Sequence, residues 1–75
     1  MKLLVFSESD RAGVNIAKAL INKYGFEKSE ATYQDKPVYK LDIENETVLL
    51  VSIIGDVVNA QYIEQSFKPS LVVFL

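Results

Sequence analysis

The chain opens with a short apolar run at residues 3–6, and polar residues follow it at once. A run of this kind is typical of a strand that is covered on both faces of a sheet. The polar stretch at residues 7–10 ends the strand and predicts the start of a helix. Ser9 or Asp10 is the residue whose side chain is expected to cap that helix.

Residues 11–24 show the pattern of an amphipathic helix. Their apolar members recur every three or four positions, while charged and amide side chains fall on the other side. Gly25 stands where a left-handed residue ends a helix, and Phe26 is then placed to pack back on Ile21. We therefore predict a helix that lies on a sheet.

The middle of the chain predicts a β-hairpin. Apolar and polar residues alternate over positions 39–43, and an apolar, β-branched run fills positions 47–54. The preceding segment, residues 27–36, is polar and predicts a loop, with a short strand near residues 31–33. Asp35, Lys36 and Pro37 indicate a turn.

A second, shorter helix is predicted over residues 59–66, where it would bury Tyr62, Ile63 and Phe67. Pro69 prevents its continuation. The last five residues, 71–75, are all large and apolar, which predicts a final buried strand.

These elements have the order β-α-β-β-α-β and predict an α/β fold with a mixed, largely parallel sheet. The three apolar strands are expected at its parallel centre, since right-handed crossovers join such strands. The last run needs cover on both faces, so we expect residues 1–75 to form a single truncated α/β domain, the N-terminal segment of a larger catalytic domain. The alternative is a complete small domain whose last strand is simply terminal.

The composition excludes several kinds of catalytic and metal-binding site within the 75 residues. Cysteine and histidine are both absent, which removes disulfides, thiolate and imidazole metal ligands, and the usual general base. A net charge of −2 gives no overall attraction to nucleic acid, so an RNA contact needs a local patch or another part of the protein. Neither a signal peptide nor a run of roughly 20 apolar residues is visible, and a cytoplasmic protein is expected.

Candidate site residues follow from the predicted sheet. Ligands of open α/β sheets bind beyond the carboxyl ends of the parallel strands, where this chain carries residues 7–10 and Asp56. Each also has a structural explanation, since Ser9 and Asp10 suit helix capping and Asp56 suits a turn. Asn15 lies in the second helical turn and is either solvated or in contact with the same rim. The sequence contains no glycine-rich phosphate loop and identifies no catalytic residue.

A pattern that extends beyond single helices and strands is found in four stretches of the sequence: residues 1–16, 24–27, 36–39 and 67–74. In the first, a strand is followed by the helix start Asp-x-Ala-small-x-Asn-Ile, which Asp10, Ala12, Asn15 and Ile16 match. The order and spacing of the four stretches resemble the archaeal and plant type of D-aminoacyl-tRNA deacylase. The resemblance extends over essentially the whole chain.

That resemblance implies a zinc-containing hydrolase that cleaves the ester between a D-amino acid and tRNA. It also implies a fold related to peptidyl-tRNA hydrolases and nucleoside phosphorylases. Asp10 and Asn15 become the polar candidates for substrate binding, and Ser7 and Asp56 join them from the argument on the sheet. In the family, the strand that matches residues 71–75 runs into a Ser-Arg-His stretch that these residues do not include. The resemblance therefore implies a fragment that is inactive alone and holds no metal itself.

Two other functions are compatible with parts of the pattern. A small stand-alone α/β binding or interaction module would use the last strand to pair with a partner, or with a second copy, by strand addition. A regulatory domain of the receiver type would place paired acids after the first strand, as Glu8 and Asp10 do. The predicted hairpin and the lack of a lysine after a later strand argue against the receiver type.

Overall fold

A computed structural model describes residues 1–33, 36–52 and 57–75. These residues form five strands and two helices, in an order that confirms the mixed α/β class. The elements are β1 (Lys2–Ser7), α1 (Asp10–Tyr24), β2 (Glu27–Tyr33), β3 (Lys36–Ile43), β4 (Glu46–Ser52), α2 (Val57–Phe67) and β5 (Leu71–Phe74). None of the helices in the described residues is long and apolar enough to cross a membrane.

The strands form one sheet with the order β2-β3-β4-β1-β5. The central strand β1 is parallel to both of its neighbours, so that Leu4 lies opposite Leu49 of β4 and Val72 of β5. The three apolar strands therefore form the parallel part of the sheet, as predicted. The sheet is less parallel than expected, because β3 runs antiparallel to both β2 and β4.

Strand β2 includes residues 27–30, which were predicted to be a loop, and residues 31–33, where a short strand was predicted. Its residues 27–30 are exposed, so they carry no apolar pattern, yet β2 pairs with β3 along its whole length. An edge strand is held mainly by backbone hydrogen bonds to its neighbour, and its side chains can remain exposed. The polar residues of β2 therefore gave no strand pattern in the sequence. Lys36 and Pro37, which were expected in a turn, belong to β3, while Asp35 lies outside the described residues.

The two helices cover opposite faces of the sheet, because successive residues of a strand point to opposite sides. On one face, Val5 belongs to a core cluster that includes Ala17 of α1. On the other face, Leu4 and Phe6 belong to a second cluster that includes Ile63 and Phe67 of α2. The prediction that β1 is buried on both faces is confirmed.

Both ends of α1 have the local structure that the sequence predicts. The N-cap is Ser9, whose backbone is extended and whose Oγ accepts a hydrogen bond from the Ala12 amide at 3.2 Å. At the other end, Gly25 has a φ of 78°, and its amide donates to the Ile21 carbonyl at 3.0 Å. Phe26 and Ile21 pack against the same core cluster.

Helix α2 is longer than predicted at both ends. Ile63 and Phe67 are buried as expected, but Tyr62 is 44% exposed, so its predicted burial is wrong. Adjacent helical residues point about 100° apart, and the face that includes Ile63 turns Tyr62 outward. At the end of α2, the Nζ of Lys2 donates to the Phe67 carbonyl at 3.2 Å.

Strand β5 was expected in the interior of a sheet, and it lies at the edge of this one. Its four residues pair only with β1 among the described strands. Phe74 stacks on the buried Phe6 with ring centroids 5.1 Å apart, and the opposite side of Phe74 remains exposed.

Candidate functional site

The strand order places a topological switch point between β1 and β5. From β1 the chain passes through α1 to β4 on one side, and from β4 it passes through α2 to β5 on the other side. The two connections cover opposite faces, as the two core clusters show. The direction of winding therefore reverses between β1 and β5, which is where open α/β sheets bind ligands.

The turn after β1 lies at the carboxyl end of that strand, beside the switch point. Ser7 is buried, and its Oγ donates to the Ser9 carbonyl at 3.0 Å. The same carbonyl accepts a hydrogen bond from the Gly13 amide at 3.3 Å. Together with the cap that Ser9 provides, these bonds hold the first turn of α1 at a set position beyond the strand. Glu8, between the two serines, is exposed to solvent.

Gly13 allows this close approach of helix and strand. A Cβ atom at this position would lie 3.3 Å from the Ser7 Oγ, which is tighter than an ordinary van der Waals contact. The structure identifies the contact as the hydroxyl that positions the turn.

Beside this turn, β4 ends at Ser52, which lies opposite Ser7 in the parallel ladder. The Ser52 Oγ is buried and has no hydrogen-bond partner within the described part of the chain. Sequence reasoning did not single out Ser52. The sequence did contain a signal for this residue. Ser52 interrupts the apolar run of β4, just as Ser7 interrupts the apolar run of β1.

The predicted substrate-binding residues have different positions. Ser7 is buried and its hydroxyl already supports the turn, whereas Asn15 is exposed on α1. Asp10 is the first residue of α1, and Asp56 lies outside the described residues. Ser7 and Asp10 thus lie at the two ends of the turn that follows β1, beside the switch point. Substrate contacts for all four residues remain predictions.

Among the residues that the structure describes, no set of zinc ligands comes together. Histidine and cysteine are absent from the sequence, and no three acidic side chains come together in residues 1–33, 36–52 and 57–75. Zinc in proteins is held mainly by those two residue types. The groups that the described turn offers a ligand are the exposed carboxylate of Glu8 and the positive end of the α1 dipole.

Comparison with known proteins gives a partial match to one enzyme. The chain is 28% identical over 80 aligned positions to D-aminoacyl-tRNA deacylases from Pyrococcus abyssi, Pyrococcus horikoshii and Pyrococcus furiosus. Each alignment covers 99% of this chain but only 28% of the relative. The chain thus spans less than a third of the length of the curated relatives it matches. No protein-family model matches it.

Among solved structures, the chain is similar to Helicobacter pylori MTAN, with a TM-score of 0.79 and 15% sequence identity. The superposition covers 99% of this chain and 33% of that protein. At this identity the likeness concerns the fold alone. It agrees with the α/β architecture.

Proposed function

We propose that these 75 residues form the N-terminal part of a D-aminoacyl-tRNA deacylase, which hydrolyses the ester between a D-amino acid and tRNA. The observation that carries the proposal is the match of 99% of the chain to three proteins of that name. The strand order supports it, since the switch point between β1 and β5 is the position at which open α/β sheets bind ligands.

In this proposal the chain supplies one wall of the substrate site within a domain like those of nucleoside phosphorylases and peptidyl-tRNA hydrolases. The Ser7–Ser9 hydrogen bond and the cap of α1 hold that wall in place. Asp10 and Asn15 are the residues we assign to substrate contact, with Ser7 and Asp56 at the same rim. Other parts of the enzyme supply the rest of the site.

The proposal assigns zinc binding and most of the tRNA binding to other parts of the longer protein. Histidine and cysteine, the usual zinc ligands, are absent from the sequence, so the proposal assigns any zinc of the enzyme to residues of the longer protein. The net charge of −2 likewise leaves most of the attraction for tRNA to other segments. In this proposal, the 75 residues form part of the substrate-binding site and position the substrate. The groups that hydrolyse the ester come from other parts of the enzyme.

The test compares the 75-residue chain with the polypeptide encoded by the uninterrupted reading frame that contains its codons. The longer polypeptide is expected to release D-tyrosine from D-tyrosyl-tRNA and to leave L-tyrosyl-tRNA intact, while the 75-residue chain releases none. Circular dichroism of both proteins checks that each one is folded. A folded longer polypeptide without D-specific hydrolysis, or hydrolysis by the short chain alone, contradicts the proposal.

The role of the α1 surface is tested in the active polypeptide with a matched pair of variants. Asn15→Ala removes an amide near the rim, and Asn22→Ala removes one from the far end of the same helix. We expect the first to lower kcat/KM by about tenfold or more, because a lost substrate contact weakens binding of the transition state. We expect the second to leave it unchanged. If both variants change kcat/KM equally, Asn15 does not contact the substrate.

A further inference from the structure

Helix α1 carries positive charge in a chain that is acidic overall. After Asp10, the first residue of α1, residues 11–24 contain no acid and three cations, Arg11, Lys18 and Lys23. The rest of the sequence contains all ten acids and the other five cations. Charge is therefore unevenly distributed, and α1 attracts anions although the chain as a whole does not.

Two of these cations flank Asn15 on one face of the helix. Arg11, Asn15 and Lys18 are separated by four and three positions, so their side chains are neighbours along a single line, which we call the α1 stripe. All three residues are exposed. Neither ion pair found within residues 1–33, 36–52 and 57–75 involves Arg11 or Lys18. Their charges thus face solvent, where an anionic partner can reach them.

The α1 stripe lies on the side of the helix that faces away from the sheet. The apolar side, which includes Ala17, Leu20 and Ile21, packs in the core cluster, and a turn of about 100° per residue places the stripe opposite to it. The stripe begins in the first turn of α1, next to the switch point, and extends about 10 Å along the helix axis to Lys18. It therefore leads away from the position at which this sheet is expected to bind its ligand.

We propose that the α1 stripe binds the phosphate backbone of tRNA close to its aminoacylated end. This inference rests on the proposed function, which places the ester at the switch point and so brings the adjoining nucleotides past the start of α1. Guanidinium and ammonium groups pair with phosphate oxygens, and the Asn15 amide can donate to the same oxygens. Two cations supply only a small share of the phosphate contacts of a tRNA, so most of its binding still belongs to other segments.

Removal of one cation from the α1 stripe should weaken tRNA binding and make it less dependent on salt. Each lost phosphate contact reduces the slope of log K against log salt concentration by about 0.7–0.9, which at 0.1 M salt corresponds to about five- to eightfold in affinity. We expect this change for Arg11→Gln and for Lys18→Gln. The charge-conserving variants Arg11→Lys and Lys18→Arg should keep the native slope.

Lys23→Gln is the matched control, because it removes the same charge from another side of the same helix. Lys23 lies about 140° around the helix axis from Lys18. Its Nζ lies over the Tyr24 ring, 5.6 Å from the ring centroid. We therefore expect Lys23→Gln to leave the salt slope unchanged.

Fluorescence anisotropy with labelled, uncharged tyrosine tRNA measures these slopes in the longer polypeptide between about 50 and 200 mM salt, with circular dichroism to check the fold. Lower slopes in both glutamine variants, with native slopes in the control and the charge-conserving variants, support the proposal. Native slopes in both glutamine variants overturn it. So does an equal change in Lys23→Gln, since net charge then explains the effect, or a change in only one glutamine variant, since the stripe then does not bind as a unit.

This measurement is independent of hydrolysis, because uncharged tRNA carries no ester. A polypeptide that hydrolyses D-tyrosyl-tRNA while every variant keeps the native slope overturns the role of the α1 stripe and leaves the proposed function in place. A polypeptide whose slopes change as expected, but that hydrolyses no D-tyrosyl-tRNA, supports tRNA binding by the stripe and contradicts the proposed function. A folded polypeptide that binds no tRNA overturns both.

Discussion

The contact between Gly13 and Ser7 predicts that a Gly13→Ala substitution changes its effect with the residue at position 7. In the native chain, the added methyl group lies 3.3 Å from the Ser7 Oγ and must push that hydroxyl aside. The hydroxyl is held by its hydrogen bond to the Ser9 carbonyl at 3.0 Å. In a Ser7→Ala background the obstructing oxygen is gone, and the methyl group has room.

Two opposing contributions to the free energy of unfolding set the size of the effect of Gly13→Ala. Alanine in place of glycine in a helix stabilises the folded state by about 0.5–1 kcal/mol. Loss or distortion of the Ser7–Ser9 hydrogen bond costs about 0.5–1.5 kcal/mol. We therefore expect Gly13→Ala to be neutral or slightly destabilising in the native chain. In the Ser7→Ala background it should stabilise the protein by about 0.5–1 kcal/mol, because only the helical term remains.

The assay is a double-mutant cycle on the free energy of unfolding, measured by urea denaturation followed by circular dichroism. Four proteins are compared: the native chain, the two single variants and the double variant. The coupling energy is expected to be about 0.5–1.5 kcal/mol. If Gly13→Ala stabilises both backgrounds equally, the hydroxyl and the helix are not in contact, and the account of the turn after β1 is wrong.

Three further substitutions test the core, the helix end and a cap, each by the same denaturation assay. Leu49→Ala should cost about 2–5 kcal/mol of a total near 4–11 kcal/mol, because Leu49 is fully buried, and a loss below ~1 kcal/mol would contradict its central position. Gly25→Ala should cost about 1 kcal/mol, because the φ of 78° disfavours a Cβ atom, and Gly25→Asn should cost less. Lys2→Met should cost up to about 1 kcal/mol through loss of the bond to the Phe67 carbonyl, while Lys18→Met, on exposed α1 surface, should have almost no effect.

The elements that the sequence predicts best are those whose signals are local. Strand β1 is defined by its own apolar run, and α1 by its own periodicity. The cap at Ser9 and the left-handed residue at Gly25 depend on side chains and backbone within a few positions. Such features are determined by neighbours in the chain, so pattern and residue type suffice to predict them.

The errors fall where a distant partner decides the outcome. The polar segment 27–33 is a strand only because β3 pairs with it, and nothing in its own side chains requires that pairing. Tyr62 is exposed because the register of α2 on the sheet selects Ile63 and Phe67 instead. The position of β5 at the edge follows from the strand order, which the sequence left open.

The candidate site shows the same division. From the sequence alone, Ser7 and Asp10 are placed where a strand passes into a helix, since that depends on adjacent residues. The tertiary structure was needed to show that the winding reverses between β1 and β5, beside this turn. It also decided that the Ser7 hydroxyl is used by the turn itself. The reason is physical: strand order and hydroxyl partners are set by contacts between segments far apart in the chain.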